Sequence, residues 1–192
     1  QLDYDRIPMS EPEVYDMIGR GDTEGIFQLE SSGMTSFMIE LAPNSIEDIV
    51  AGISLYRPGP MEQIPRYVAS RHDPSSIRYE HSLLEPILNG SYGCMIYQEQ
   101  AMQIVRDVAG FSMGQSDNIR RAMSKKKPEI MEKYRRLFVY GGTDEKGRVV
   151  DGAVNRGVPE ASATKIFNDV SLFSGYAFNK SHAACYAWVS YQ

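Results

Sequence analysis

Arg120 and Arg121 are the residues whose type and spacing point most directly to chemistry. Two adjacent guanidinium groups inside a helix offer planar forks of N–H donors, the geometry that phosphate oxygens accept. At about 100° per residue, Arg121 and Lys125 share one side of a helix one turn apart, as do Arg120 and Ser124. Lys125, Lys126 and Lys127 prolong the positive run, and eight basic residues stand against three acidic ones between 116 and 136. That stretch carries a net +5 in a chain whose formal total is −5. A polyphosphate or a nucleic-acid backbone suits such a strip. The plainer alternative is a solvated helix face whose lysines answer the negative end of the helix dipole.

His182 follows Asn179, Lys180 and Ser181 at the start of a helix, where backbone donors and the dipole favour an anion. Its structural alternative is a partly buried polar residue beside a cap. His72 and His81 lie in a loop region without ligand spacing and read as surface residues. Asp3 and Asp5 form a D-x-D pair that could hold a metal, and a self-sufficient metal enzyme would rest on them. No third acidic residue accompanies them, so they read as non-catalytic. Met34, Met38, Met95 and Met102 recur at helical spacing among apolar residues and read as core. Neither a GxxxxGK[ST] loop nor a GxGxxG fingerprint occurs, which excludes nucleotide binding through those two cradles.

The elements that must position these groups are mostly helices. Ser10 and Glu13 form a capping-box pattern that opens a helix to about Gly19, with Pro12 in its first turn. Met34, Phe37, Met38 and Leu41 predict a helix over 32–41 stopped by Pro43, and Ser45 caps another over 46–55. Arg57-Pro58-Gly59-Pro60 must be a rigid turn, since two prolines remove donors and glycine permits unusual backbone shapes. A loop is expected at His72–Ser75 and a short helix at Leu83–Leu88. Met95–Ala109 has an apolar stripe and Gly110 at the C-terminal cap position. Helices follow over 116–126 and 129–139, the second opened by Pro128. Glycines and Val149-Val150 between 140 and 158 suggest a small hairpin or a loose insertion, where no functional residue is expected. Pro159 opens a helix ending near Gly175, and Ser181 caps a last one.

The 192 residues, 42% hydrophobic and 23% charged, suit one domain or a sizeable piece of a larger one. No apolar run approaches the roughly 18 residues that span a bilayer, so no membrane helix is expected. The net acidity excludes a protein that coats nucleic acid by bulk charge. Cys94 and Cys185 have no CxxC spacing, so neither a disulfide framework nor a zinc ribbon is expected and a reducing cytoplasm fits best. The chain begins at Gln1 and stops within an apolar, helix-like stretch, and it reads as an excised segment of a longer protein.

Five motifs occur in order: Phe27 to Met34 (FQLESSGM), Leu55 to Pro60 (LYRPGP), Tyr97 to Gln100 (YQEQ), Ile119 to Met123 (IRRAM) with Lys125 to Pro128 (KKKP), and Phe178 to Tyr186 (FNKSHAACY). Together they resemble the fingers region of the C-family bacterial replicative DNA polymerase, the alpha subunit of DNA polymerase III, over nearly the whole chain. The resemblance implies a mainly α, multi-helix fingers domain with a small irregular or hairpin insertion, spanning 1–192. It implies nucleotidyl transfer assisted by two Mg²⁺ ions, which palm aspartates upstream of this chain would hold. It implies no catalytic or metal-binding residue here. Arg120 and Arg121 would hold the incoming deoxynucleoside triphosphate, and Lys125, Lys126 and Lys127 would extend the positive wall. Lys180, Ser181 and His182 would close over the nucleotide, with His182 at the sugar and Tyr186 supporting it. Arg57 and Gln98 would brace the pocket or the DNA. Deoxynucleoside triphosphates and primer-template DNA would be the partners, other replicase subunits and the sliding clamp being met outside this chain, and the fragment alone would be inactive. The rival reading is a non-catalytic helical protein-interaction module whose basic strip meets an acidic partner.

Overall fold

A computed structural model describes residues 6–125 and 128–192, the side chains of 124, 125 and 128 lying outside that description. Ten α-helices run in the order α1 (Pro12–Arg20), α2 (Ser32–Leu41), α3 (Ile46–Leu55), α4 (Ile64–His72), α5 (Glu85–Leu88), α6 (Gln98–Ala109), α7 (Met113–Lys125), α8 (Pro128–Tyr140), α9 (Glu160–Ser174) and α10 (Lys180–Tyr191) among the described residues. One antiparallel hairpin, β1 (Gly142–Thr143) with β2 (Val149–Val150), stands between α8 and α9, with Gly142 opposite Val150 and Thr143 opposite Val149. The chain is thus mainly α, as its periodicities predict. No helix among the described residues is long and apolar enough to cross a membrane.

The chain divides into two compact units. One is formed by the residues up to Pro74 together with Phe178–Gln192, the other by the continuous stretch Ser75–Ala177. In the first, α10 packs along α3 and α1 lies against α2. Ile18, Met38, Leu41, Ile49, Leu55, Ala183 and Ala187 are buried there. The Tyr15 and Tyr191 rings meet at 5.4 Å, and the Glu11 N–H donates to the Tyr191 hydroxyl at 2.9 Å, joining the two stretches of chain that build this unit. Burial, reinforced by the Tyr191 hydroxyl and the charges of Glu47 and Asp48, pushes the Tyr15 phenol up to about 12. Gly33 is required by packing, because a Cβ there would overlap the Tyr56 hydroxyl.

In the second unit, α9 lies against α6, α7 and α8 over one core that includes Ile104, Val108, Phe111, Ile119, Phe138, Phe167 and Val170. The hairpin is fastened rather than loose. Gly152 donates its N–H to the Ala109 carbonyl at 2.9 Å and Ala153 to that of Phe138 at 2.7 Å. Gly141 and Gly152 take positive φ, 78° and 84°, with their backbones in contact, so that a Cβ on Gly152 would overlap Gly141 and the Tyr140 carbonyl carbon.

Several boundaries depart from the expected ones for definable reasons. Pro12 forces the residue before it into an extended conformation, so Glu11 (φ −73°, ψ 113°) is the N-cap of α1 and Ser10 is one residue too early. The α6 helix starts at Gln98 instead of Met95, because the Gln100 side chain folds back and accepts from the N–H groups of Ile96 (2.9 Å) and Tyr97 (3.0 Å). The α7 helix starts at Met113, ahead of Ser116, through reciprocal bonds between Ser112 and Gln115. Asn179, not Ser181, caps α10, its side-chain oxygen accepting from the His182 N–H at 3.1 Å. Met34 and Met38 are buried, whereas Met95 and Met102 are only half-buried.

Candidate functional site

The sequence-selected residues fall into one group on each unit. On the second unit, α7 carries Arg120 and Arg121, one turn beyond Asp117. Arg120 places Nε and Nη2 at 3.3 and 2.9 Å from one Asp117 carboxylate oxygen, and Arg121 places Nε at 2.8 Å from the other. Both guanidinium groups therefore converge on a single carboxylate at i,i+3 and i,i+4 spacing. Arg120 is the more covered, with a side chain 24% exposed against 68% for Arg121 and 32% for Asp117. The Arg120 hydrogen bond, with the charges of Arg121 and Arg120, outweighs the opposing effect of burial and holds the Asp117 carboxyl below the usual carboxylate range. The buried Ile119 and Met123 turn α7 so that the arginines stay at the surface.

Upstream, Gln115 donates through Nε2 to Asp144 on the hairpin at 3.0 Å. Asp144 also accepts from the backbone of Lys146 and Arg148 and from the Arg148 guanidinium. Burial would raise its carboxyl, but these bonds outweigh it and depress it strongly. The hairpin thus helps fix the start of the arginine helix, a role that no local pattern announces. Of the two glutamines in the Tyr97–Gln100 motif, Gln98 is half-buried at the first position of α6. Gln100 makes the internal contacts, donating through Nε2 to Ser91 Oγ at 2.6 Å and to the Ile87 carbonyl at 3.3 Å.

On the first unit, Lys180, Ser181 and His182 occupy the opening turn of α10, all three exposed, so His182 is not the partly buried residue of the structural alternative. A ladder of rings runs along one side of this helix at four-residue spacing. The Arg57 guanidinium lies 4.0 Å from the Phe178 ring centre, Phe178 and His182 meet edge to face at 5.4 Å, His182 and Tyr186 lie 4.2 Å apart, and Tyr186 meets Phe27 at 5.2 Å. Ser190, one turn on, donates to the Phe27 carbonyl at 2.7 Å. Arg57 also donates through Nε to the Ser54 carbonyl at 3.3 Å, and burial pulls its guanidinium below its usual value. Two motifs far apart in sequence, around Arg57 and Phe178, are therefore joined by a cation–π contact. Phe27, Phe178 and Asp117 carry no role in the sequence reading. The i,i+4 spacing of 178, 182 and 186 and the i,i+3 and i,i+4 spacing of 117 to the arginines were available to find two of them.

His72 Nε2 lies 3.0 Å from the Glu40 carbonyl oxygen, linking the ends of α4 and α2, and His81 Nδ1 accepts from the Leu83 N–H at 3.3 Å, a local cap. No group of three or more histidine, cysteine or acidic residues that could hold a metal ion occurs among the described residues. Asp3, Asp5, Lys126, Lys127 and the side chain of Lys125 lie outside the described residues.

Residues 1–146 match the family model described as the bacterial DNA polymerase III alpha subunit finger domain. Over 197 aligned residues, all of this chain is 47% identical to the DNA polymerase III subunit alpha of Thermus aquaticus, covering 15% of that protein. The subunit of the same name from Staphylococcus epidermidis is 46% identical and that from Staphylococcus aureus (strain Mu50) 45%, each over 190 residues, with 99% of this chain covered and 17% of theirs. The chain thus spans about one sixth of the length of these relatives.

Proposed function

This chain belongs to the bacterial DNA polymerase III alpha subunit finger domain family, and from that premise we propose that it grips the incoming deoxynucleoside triphosphate and primer-template DNA during replicative nucleotidyl transfer. The observation that carries the proposal is the convergence of Arg120 and Arg121 on one carboxylate. Side chains that bring donors from two forks to a common pair of oxygens are already arranged for a phosphate group, which presents the same kind of acceptor. In that role they would neutralise charge as it moves onto the departing pyrophosphate. Lys125, Lys126 and Lys127 would continue the wall. Family membership also makes Lys180, Ser181 and His182 candidates for contacting a nucleotide, the ring ladder setting the direction of the His182 imidazole and Tyr186 backing it, while Arg57 and Gln98 would brace the pocket or the DNA.

In this reading residues 1–192 are one fingers region, and the parent enzyme works in the cytoplasm. In the same reading the parent enzyme uses Mg²⁺, held by carboxylates of its palm outside this chain. The chain alone extends no primer. Other replicase subunits and the sliding clamp are met through parts of the parent outside it.

Fluorescence titration with labelled deoxynucleoside triphosphate and with primer-template tests the proposal. The Arg120→Ala/Arg121→Ala variant should bind at least about tenfold more weakly than wild type and lose part of the salt dependence. Identical affinity in the two proteins overturns the reading. A second reading, a protein-interaction module, has in its favour the exposed neighbours Trp188 and Val189 on α10. It calls for binding that is indifferent to nucleotide.

A further inference from the structure

Asp117 has no assigned role, yet it holds the two side chains on which the proposed function turns. One of its oxygens takes two N–H groups of Arg120, the other one of Arg121. These are donors that would face a phosphate. The carboxylate sits in the middle of α7, on the same helical side as both arginines and one turn before them, so its grip is set by helix geometry and does not depend on a loop. It is partly exposed, Arg120 is partly covered and Arg121 is exposed, and an ion pair open to solvent can be exchanged for another anion without leaving a charge stranded in a dry interior.

We infer that Asp117 is a positioning residue that parks Arg120 and Arg121 on its own carboxylate while no anion is bound, and that an incoming polyphosphate must displace it. The inference rests on the reading of the two arginines as phosphate ligands. An internal anion occupying both forks competes with every external one, so part of the intrinsic affinity is spent on release. It also keeps two flexible guanidinium groups together, facing one direction, in a stretch of chain that would otherwise scatter like charges. Removing the carboxylate while keeping its shape therefore strengthens anion binding. A residue that merely stabilised the helix would have the opposite effect.

The test uses this chain, tripolyphosphate as probe and constant ionic strength, with binding measured by calorimetry. Asp117→Asn should bind about threefold to fivefold more tightly than wild type, the size expected for releasing two exposed helical ion pairs. Glu129→Gln, the same charge change on the neighbouring helix, should stay within about twofold of wild type. Equal or weaker binding by Asp117→Asn with helicity retained by circular dichroism overturns the inference, as does an equal gain in Glu129→Gln. If the asparagine variant loses helicity, the wild-type chain decides: saturating tripolyphosphate must move the arginine Hε resonances of both Arg120 and Arg121 in NMR spectra, and unmoved resonances overturn the inference. Binding that depends on Arg120 and Arg121 but is unchanged in Asp117→Asn sinks the parking role alone. Binding indifferent to Arg120→Ala/Arg121→Ala, or no binding by any of these proteins, sinks the phosphate reading with it.

Discussion

Asp48 and Asp117 are both aspartates held by arginine, and burial separates what each can do. Asp48 is 2% exposed and receives Nε and Nη2 of Arg71 at 3.1 and 3.0 Å, the Asn44 N–H at 2.9 Å and the Ser45 hydroxyl at 3.1 Å. Arg71, itself 9% exposed, reaches on to the Ala42 carbonyl. Asp48 lies in the first turn of α3, where a carboxylate also answers the helix dipole, and its partner, 23 residues on, comes from α4. Asp48→Ala would leave a buried guanidinium without its counter-ion, and should cost about 3 kcal/mol in urea unfolding. Burial alone would raise the Asp48 carboxyl, but the Arg71 and Ser45 hydrogen bonds, the Asn44 N–H and the Arg71 charge outweigh it and hold it below the usual range. The ionised form is thus favoured in the folded state. Its contribution is present above the unfolded aspartate value, about 3.9, and is lost as pH falls towards and through the lower folded value. Unfolding followed between pH 6 and 2 should therefore show a steeper acid loss of stability in wild type than in Asp48→Asn.

At the scale of elements, the strongest sequence signals were local and held. The α2 and α3 helices have the boundaries that apolar spacing and, for α3, the Ser45 cap predict; Ser45 accepts from the Asp48 N–H, and Ser31, which no pattern singled out, accepts from that of Met34. Gly110 caps α6 in the left-handed region, as expected. Misplaced starts came where a side chain of the first turn folded back to take up N–H groups that the apolar pattern counted as helical, as Gln100 does for α6. The hairpin is the element whose importance local pattern hid most. Its bonds to Ala109, Phe138 and Gln115 join the end of α6, the body of α8 and the start of α7. Gly152→Ala would press a Cβ into the Gly141 backbone at a positive φ, and thermal unfolding should reveal a loss of about 2 kcal/mol or more. The arginine helix should loosen at its first turn in the same variant, seen as faster amide exchange around Gln115 and Ser116.

At the scale of the whole molecule, chain order and spatial order differ. The stretch 75–177 is continuous and closes a core of its own, while the other unit is completed only when 178–192 returns to it. A protein consisting of residues 75–177 should fold by itself, giving a helical spectrum and a single cooperative melt; a spectrum without helix, or a gradual melt, would contradict that. A protein ending at Ala177 should lose the first unit, since Ala183, Ala187 and Tyr191 fill its core. The sequence by itself determined the helical class, most helices, the rigid Arg57–Pro60 turn, the basic strip and the family motifs, because caps, apolar period and residue type act within one or two turns of chain. Only the tertiary structure decided that residues 178–192 complete the same unit as the N-terminal helices, that Arg57 meets Phe178 across 121 positions, and that Arg71 neutralises Asp48. Such contacts depend on how distant segments bury their apolar faces together, and no local pattern encodes which distant side chain will arrive.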